Sequence, residues 1–148
     1  MRRLPALLLL SAISLGACSQ AQDVQPVPAP ARAVASVEVR GGECPDGTCS
    51  TRYDVFSDGR VVRDDGATDA MDADVAARLT ELVEAADWTT ILARPFTGEC
   101  PTAYDGQERV YTFWPAAGEV TVATCTVQVD PGQEPFATLD GVLFGGGG

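Results

Sequence analysis

Thr51-Arg52-Tyr53-Asp54-Val55-Phe56-Ser57-Asp58-Gly59-Arg60-Val61-Val62-Arg63 is the stretch whose reading decides the fold. Tyr53 and Val55 alternate with Arg52 and Asp54, the period of a strand with one buried face. Asp58-Gly59 then supplies the positive φ of a tight hairpin turn, and Arg60–Arg63 returns as a second strand through Val61 and Val62. Upstream, Val37 and Val39 alternate with Ser36, Glu38 and Arg40, so 34–40 reads as a first strand. Downstream, Asp64-Asp65-Gly66 closes the hairpin, and Asp72 has the position of a helix N-cap. Val75, Leu79, Leu82, Val83 and Ala86 then form one apolar stripe of a helix over 73–86. Trp88, Ile91 and Leu92 continue the apolar cover until Arg94-Pro95 stops it. Residues 107–114 and 120–129 read as two more strands, the second containing Cys125. Pro135 opens a short helix carrying Phe136, Leu139 and Leu143. The expectation is an α+β fold: an antiparallel sheet of about four or five strands, one main packed helix and a short C-terminal helix.

The first residues have a different character. Arg2 and Arg3 precede an apolar run from Leu4 to Leu15, followed by Gly16, Ala17 and Cys18. The run is short of the ~20 residues of a spanning helix and has the three-part form of a secretory leader. Leu15-Gly16-Ala17-Cys18 resembles the lipobox of bacterial lipoprotein signals. The resemblance implies cleavage before Cys18, a lipid thioether on its sulfur and a membrane anchor through that lipid. Gly16 stands where the family more often has Ala or Ser. Ser19, where the inner-membrane retention signal has Asp, implies outer-membrane sorting, facing the periplasm, in a diderm host. The organisation expected is a signal peptide over 1–17, a flexible Pro-rich tether over 18–35 (Pro26, Pro28 and Pro30), a single domain over 36–144 and a disordered glycine tail over 145–148.

With Cys18 lipidated, Cys44, Cys49, Cys100 and Cys125 remain, an even number in an exported chain. Three connectivities are open. Pro45-Asp46-Gly47-Thr48 is turn chemistry that brings Cys44 to Cys49, leaving Cys100 to Cys125. The competing use is a four-thiolate zinc site, but Cys-x4-Cys is wider than the usual knuckle and the other two cysteines lie far apart.

The net charge of −11 excludes nucleic acid as a partner, because phosphate binding needs a positive surface. All ten basic residues are arginine and there is no histidine. A histidine general base, a Ser-His-Asp site, a histidine metal ligand and a lysine Schiff base are therefore impossible. Asp64, Asp65, Asp69, Asp72 and Asp74 invite a calcium reading, but the EF-hand spacing is absent, and capping and solvation account for them. Tyr111, Phe113 and Trp114 belong to a strand, and an exposed Tyr111 or Trp114 beside Tyr104 would form a recognition patch. The sequence assigns no catalytic, cofactor-binding or metal residues.

The run Cys49 to Val61, followed by a helix and Trp88, resembles the start of an uncharacterised bacterial envelope domain, with an extra residue before Tyr53 and no Pro after Cys49. The order of strands, helix, hairpin and final helix over 36–144 also resembles emfourin, a small inhibitor of thermolysin-like metalloproteases. These resemblances imply architecture and carry over no functional residue. The function expected is a membrane-anchored, extracytoplasmic, non-enzymatic lipoprotein that binds an envelope protein or other ligand. The alternatives are a protease inhibitor of the emfourin type, a carboxylate-based envelope glycan hydrolase, and a purely structural envelope role.

Overall fold

A computed structural model describes residues 30–44 and 47–145. The leader, Cys18, most of the tether, Pro45-Asp46 and the last three glycines lie outside them. None of the helices among the described residues is long and apolar enough to cross a membrane.

The chain is α+β and carries two disulfides. The described residues form six strands, β1 (Ala33–Cys44), β2 (Gly47–Phe56), β3 (Arg60–Arg63), β4 (Thr68–Ala70), β5 (Gln107–Phe113) and β6 (Val120–Ala123). They form one antiparallel sheet in the order β4-β3-β2-β1-β5-β6. The Asp58-Gly59 hairpin is present as expected. Gly59 has φ +87°, and Asp58 accepts the Arg60 N–H at 3.1 Å. A Cβ on Gly59 would meet the Met71 carbonyl oxygen at 2.9 Å, so glycine is required there twice over.

The sheet has one strand more than the upper expectation. Asp65 accepts the Ala67 N–H, Gly66 takes φ +87°, and the chain doubles back to place Thr68–Ala70 beside β3. Those three residues are all exposed, so no apolar alternation marks them. Strand β1 starts at Ala33, one residue ahead of the strand start expected at Val34, and runs on to Cys44. A bulge between Ala33 and Ala35 turns both Val34 and Ala35 into the core, at 1% and 0% exposure.

A single long strand over 120–129 does not form. Strand β6 ends at Ala123, whose carbonyl accepts from both Thr126 and Val127, and Val127 bridges to Pro95 instead. β-branched residues suit a strand, but the turn is what carries Cys125 to Cys100. The two disulfides are Cys44–Cys49 and Cys100–Cys125, with Cα separations of 5.4 and 5.1 Å. The thiols are thereby committed to bridges, not to a zinc site.

Helix α1 (Ala73–Ala85) is capped by the Asp72 carboxylate, which accepts the Asp74 N–H at 2.8 Å. It buries Ala76, Leu79 and Val83. Trp88–Leu92, expected only as apolar cover, is a short helix α2 capped by Asp87, and it buries Ile91. Helix α3 (Phe136–Phe144) buries Phe136 and Leu139. All three helices join one apolar cluster with Ala35, Val37, Val55, Val61, Tyr111, Phe113 and Val122, which the strand alternation places on a single sheet face. Phe113 sits at its centre, with ring centroids of Trp88 and Phe136 at 4.8 and 5.5 Å. The intervening residues, among them Ser36, Glu38, Arg52, Asp54 and Thr112, belong to the opposite face.

Candidate functional site

Strand β5 carries Gln107, Arg109, Tyr111 and Phe113 on the helix-covered face. Toward the Gln107 end this row leaves the apolar core and meets helix α3. There Asp140 follows the buried Leu139 and lies one helical turn beyond Phe136. The Tyr111 hydroxyl lies 3.1 Å from each Asp140 carboxylate oxygen and donates to that carboxylate. Arg109 Nη1 donates to Asp140 Oδ2 and forms an ion pair with it. The same guanidinium lies 4.5 Å above the Phe144 ring, a cation–π contact at the last residue of α3. Gln107, Thr124, Val129 and Pro131 complete a cavity of about 330 Å³ around these three residues.

Burial decides the electrostatics. Tyr111 is 2% exposed, and loss of solvent pushes its hydroxyl up to about 12, against the pull of Arg109. Burial likewise raises the Asp140 carboxyl above its ordinary value, although Arg109 and Tyr111 oppose the shift. For Arg109 burial works against the charged form, but Tyr111 and Asp140 together hold the guanidinium above its ordinary value. At neutral pH the tyrosine is protonated and the arginine charged, and both are tied to the Asp140 carboxyl.

A pH dependence follows from Tyr111. Its folded pKa lies above the ordinary value near 10, so its stabilising contribution is complete below pH ~10 and is lost as pH rises toward 12. The loss relative to neutral pH amounts to about 2 kcal/mol by pH 11.5. Urea unfolding of the parent and of Tyr111→Phe across pH 9–11.5 should show that decline in the parent and a flatter profile in the variant. Parallel profiles would refute the assignment.

On the other face, Glu108 is 6% exposed and accepts from Arg40 Nε at 2.8 Å and from the Cys125 N–H at 3.3 Å. It ties the disulfide-bearing turn to the sheet. The recognition patch envisaged around Tyr104 does not form: Tyr111 is buried while Tyr104 is 68% exposed, and Trp114 is half-buried with its indole N–H on Glu119. Three of the five acidic residues envisaged around calcium have local partners, and Asp69 and Asp74 have no side-chain partner among the described residues. Asp64 accepts the Arg52 N–H, Asp65 pairs with Arg63, and Asp72 caps α1. Among the described residues no three of His, Cys, Asp or Glu gather to hold a metal.

Sequence reading missed Arg109 and Asp140 and took Tyr111 for sheet packing. A signal existed. Arg109 shares strand parity with Tyr111 and Phe113, and Asp140 lies at i+4 from Phe136 on an otherwise apolar helix face. A charge at an apolar position on each of two elements marks a pair that finds its partner across the core. Comparison with protein-family models, with curated proteins and with solved structures finds no match.

Proposed function

We propose that this chain is a lipid-anchored, extracytoplasmic binding module of the bacterial cell envelope, tethered through Cys18, and that it is not an enzyme. The observation that carries the reading is the mutual locking of Arg109, Tyr111 and Asp140. These groups line a cavity, and each is tied to another by hydrogen bonds and an ion pair, which suits holding a ligand or a neighbouring element in a fixed geometry. Two disulfides support an oxidising compartment, as the lipobox reading requires. The single carboxylate of this cavity, tied to arginine, weighs against this cavity as the site of a glycan hydrolase, which needs two carboxyl groups ~5–10 Å apart across a cleft.

Crosslinking of the anchored protein in its native envelope, followed by purification under denaturing conditions, tests the proposal. One abundant protein in near-equal amount is the expected result and names the partner class. Recovery of the protein alone, at full occupancy of the membrane fraction, would overturn a protein-binding role. Full activity of thermolysin-like proteases in the presence of micromolar protein would remove the inhibitor alternative.

A further inference from the structure

A second cavity, of about 290 Å³, opens at the other edge of the sheet, between β4, the start of α1 and the end of α3. Val61, Met71, Val75 and Leu143 give it an apolar lining, and Asp69 and Asp72 stand at its rim. Its volume suits one large apolar side chain, near the lower limit of ligand pockets. Met71, half-buried and unbranched, lets the lining adapt.

Two independent features say what could occupy it. The first is charge. Arg52, Arg60 and Arg63 are each paired with an aspartate, at Asp54, Asp58 and Asp65. Among the described residues, Asp69 and Asp72 have no arginine partner, and both are exposed. The rim is therefore net negative on a chain of net charge −11. The second is the sheet edge. Strand β4 is the terminal strand and pairs on one side only, with β3. Its three residues, Thr68, Asp69 and Ala70, include no proline, lysine or bulge, but the strand is short and Asp69 places a charge on its cavity side, so the edge favours an added strand that brings a complementary cation. Asp69 pairs opposite Val61 and so belongs to the cavity side. A strand added to β4 would place alternate side chains over the same opening.

We infer that this groove docks an extended, basic segment of a partner protein, which adds to β4, seats one large apolar side chain on Met71 and Val75, and sets lysine or arginine against Asp69 and Asp72. The inference rests on the binding-module reading and names the chemistry of its partner. The charge contacts lie at the exposed rim, so affinity falls as salt rises through the physiological range.

The sequence provides its own reporter, because its two methionines are Met1 and Met71. The full chain, with both disulfides intact and held in phosphatidylcholine nanodiscs, is labelled with ¹³C-methyl methionine, and Met71→Leu assigns the groove signal. The probe is a blocked heptapeptide with phenylalanine at its centre, lysine two places to either side and threonine elsewhere. We expect a saturable shift of the Met71 methyl. Affinity should fall roughly tenfold or more when alanine replaces the phenylalanine, and about threefold in Asp69→Asn, an exposed substitution that leaves the core intact. A silent Met71 methyl, or an equal response to the same peptide with glutamate for lysine, overturns the inference. The two readings fail separately: envelope partners with a silent methyl leave the module and remove the groove, whereas a responding methyl with no envelope partner removes the module's role and leaves the groove.

Discussion

Replacing Phe113 by alanine lowers the unfolding free energy by about 3–5 kcal/mol, the largest effect expected of any single substitution in this chain. Phe113 is fully buried at the end of β5, paired opposite Ala35 in β1 and Val120 in β6. Its ring contacts Trp88, Tyr111 and Phe136, so it joins β5, the region of α2 and the start of α3 in one aromatic cluster. Truncation removes the transfer free energy of the ring and leaves a void that three large, rigid neighbours cannot close. Phe113→Leu keeps most of the volume and should cost clearly less, about 1–2 kcal/mol. Urea unfolding of both variants, followed by tryptophan fluorescence, checks the ranking. Equal, sub-kilocalorie losses would mean that the cluster is not the organising core.

Removing the Cys100–Cys125 bridge by a double serine substitution should cost about 3.5 kcal/mol, against about 2 kcal/mol for Cys44–Cys49. The difference follows from the sequence separations closed, 25 residues in one case and 5 in the other. The longer bridge also has more tertiary work. It holds the turn after β6, which Glu108 grips through the Cys125 N–H, against the segment that leads into β5. The shorter bridge closes neighbouring ends of β1 and β2 that the sheet already pairs. Denaturant midpoints of the two double variants test the order, and the reverse order would refute the loop argument. Thiol titration of the denatured, unreduced parent should find none of these four cysteines free.

Much of the architecture was legible because it depends on local signals. The Asp58-Gly59 turn, the Asp72 cap, the stripe through Leu79 and Val83 and the start of α3 after Pro135 each follow from a few adjacent residues. The two cysteine pairs were legible from turn chemistry and parity. Three features were not. Strand β4 has no apolar residue to announce it and exists because Asp65 and Gly66 fold the chain back on β3. The stretch 120–129 carries strand propensity throughout, but the reach from Cys125 to Cys100 and the pairing of Val127 with Pro95 divert it after Ala123. The bulge that sends Val34 into the core beside Ala35 breaks the period-two rule on which a strand reading relies.

By itself the sequence determined the class of fold, its hairpins and caps and the exclusion of histidine and lysine chemistry, and it favoured the cysteine pairing that the structure shows. These are consequences of residue type and near-neighbour spacing, which local physics reads without the rest of the chain. Only the tertiary structure decided that Arg109 and Tyr111 of β5 meet Asp140 of α3, across 29 to 31 residues of chain. It also decided that β4 leaves an unpaired edge beside an apolar, acid-rimmed groove. Both depend on how α3 lies across the sheet, and that placement is set by non-directional burial of Phe136 and Leu139 against Phe113 and Tyr111, not by any signal local to the residues that meet.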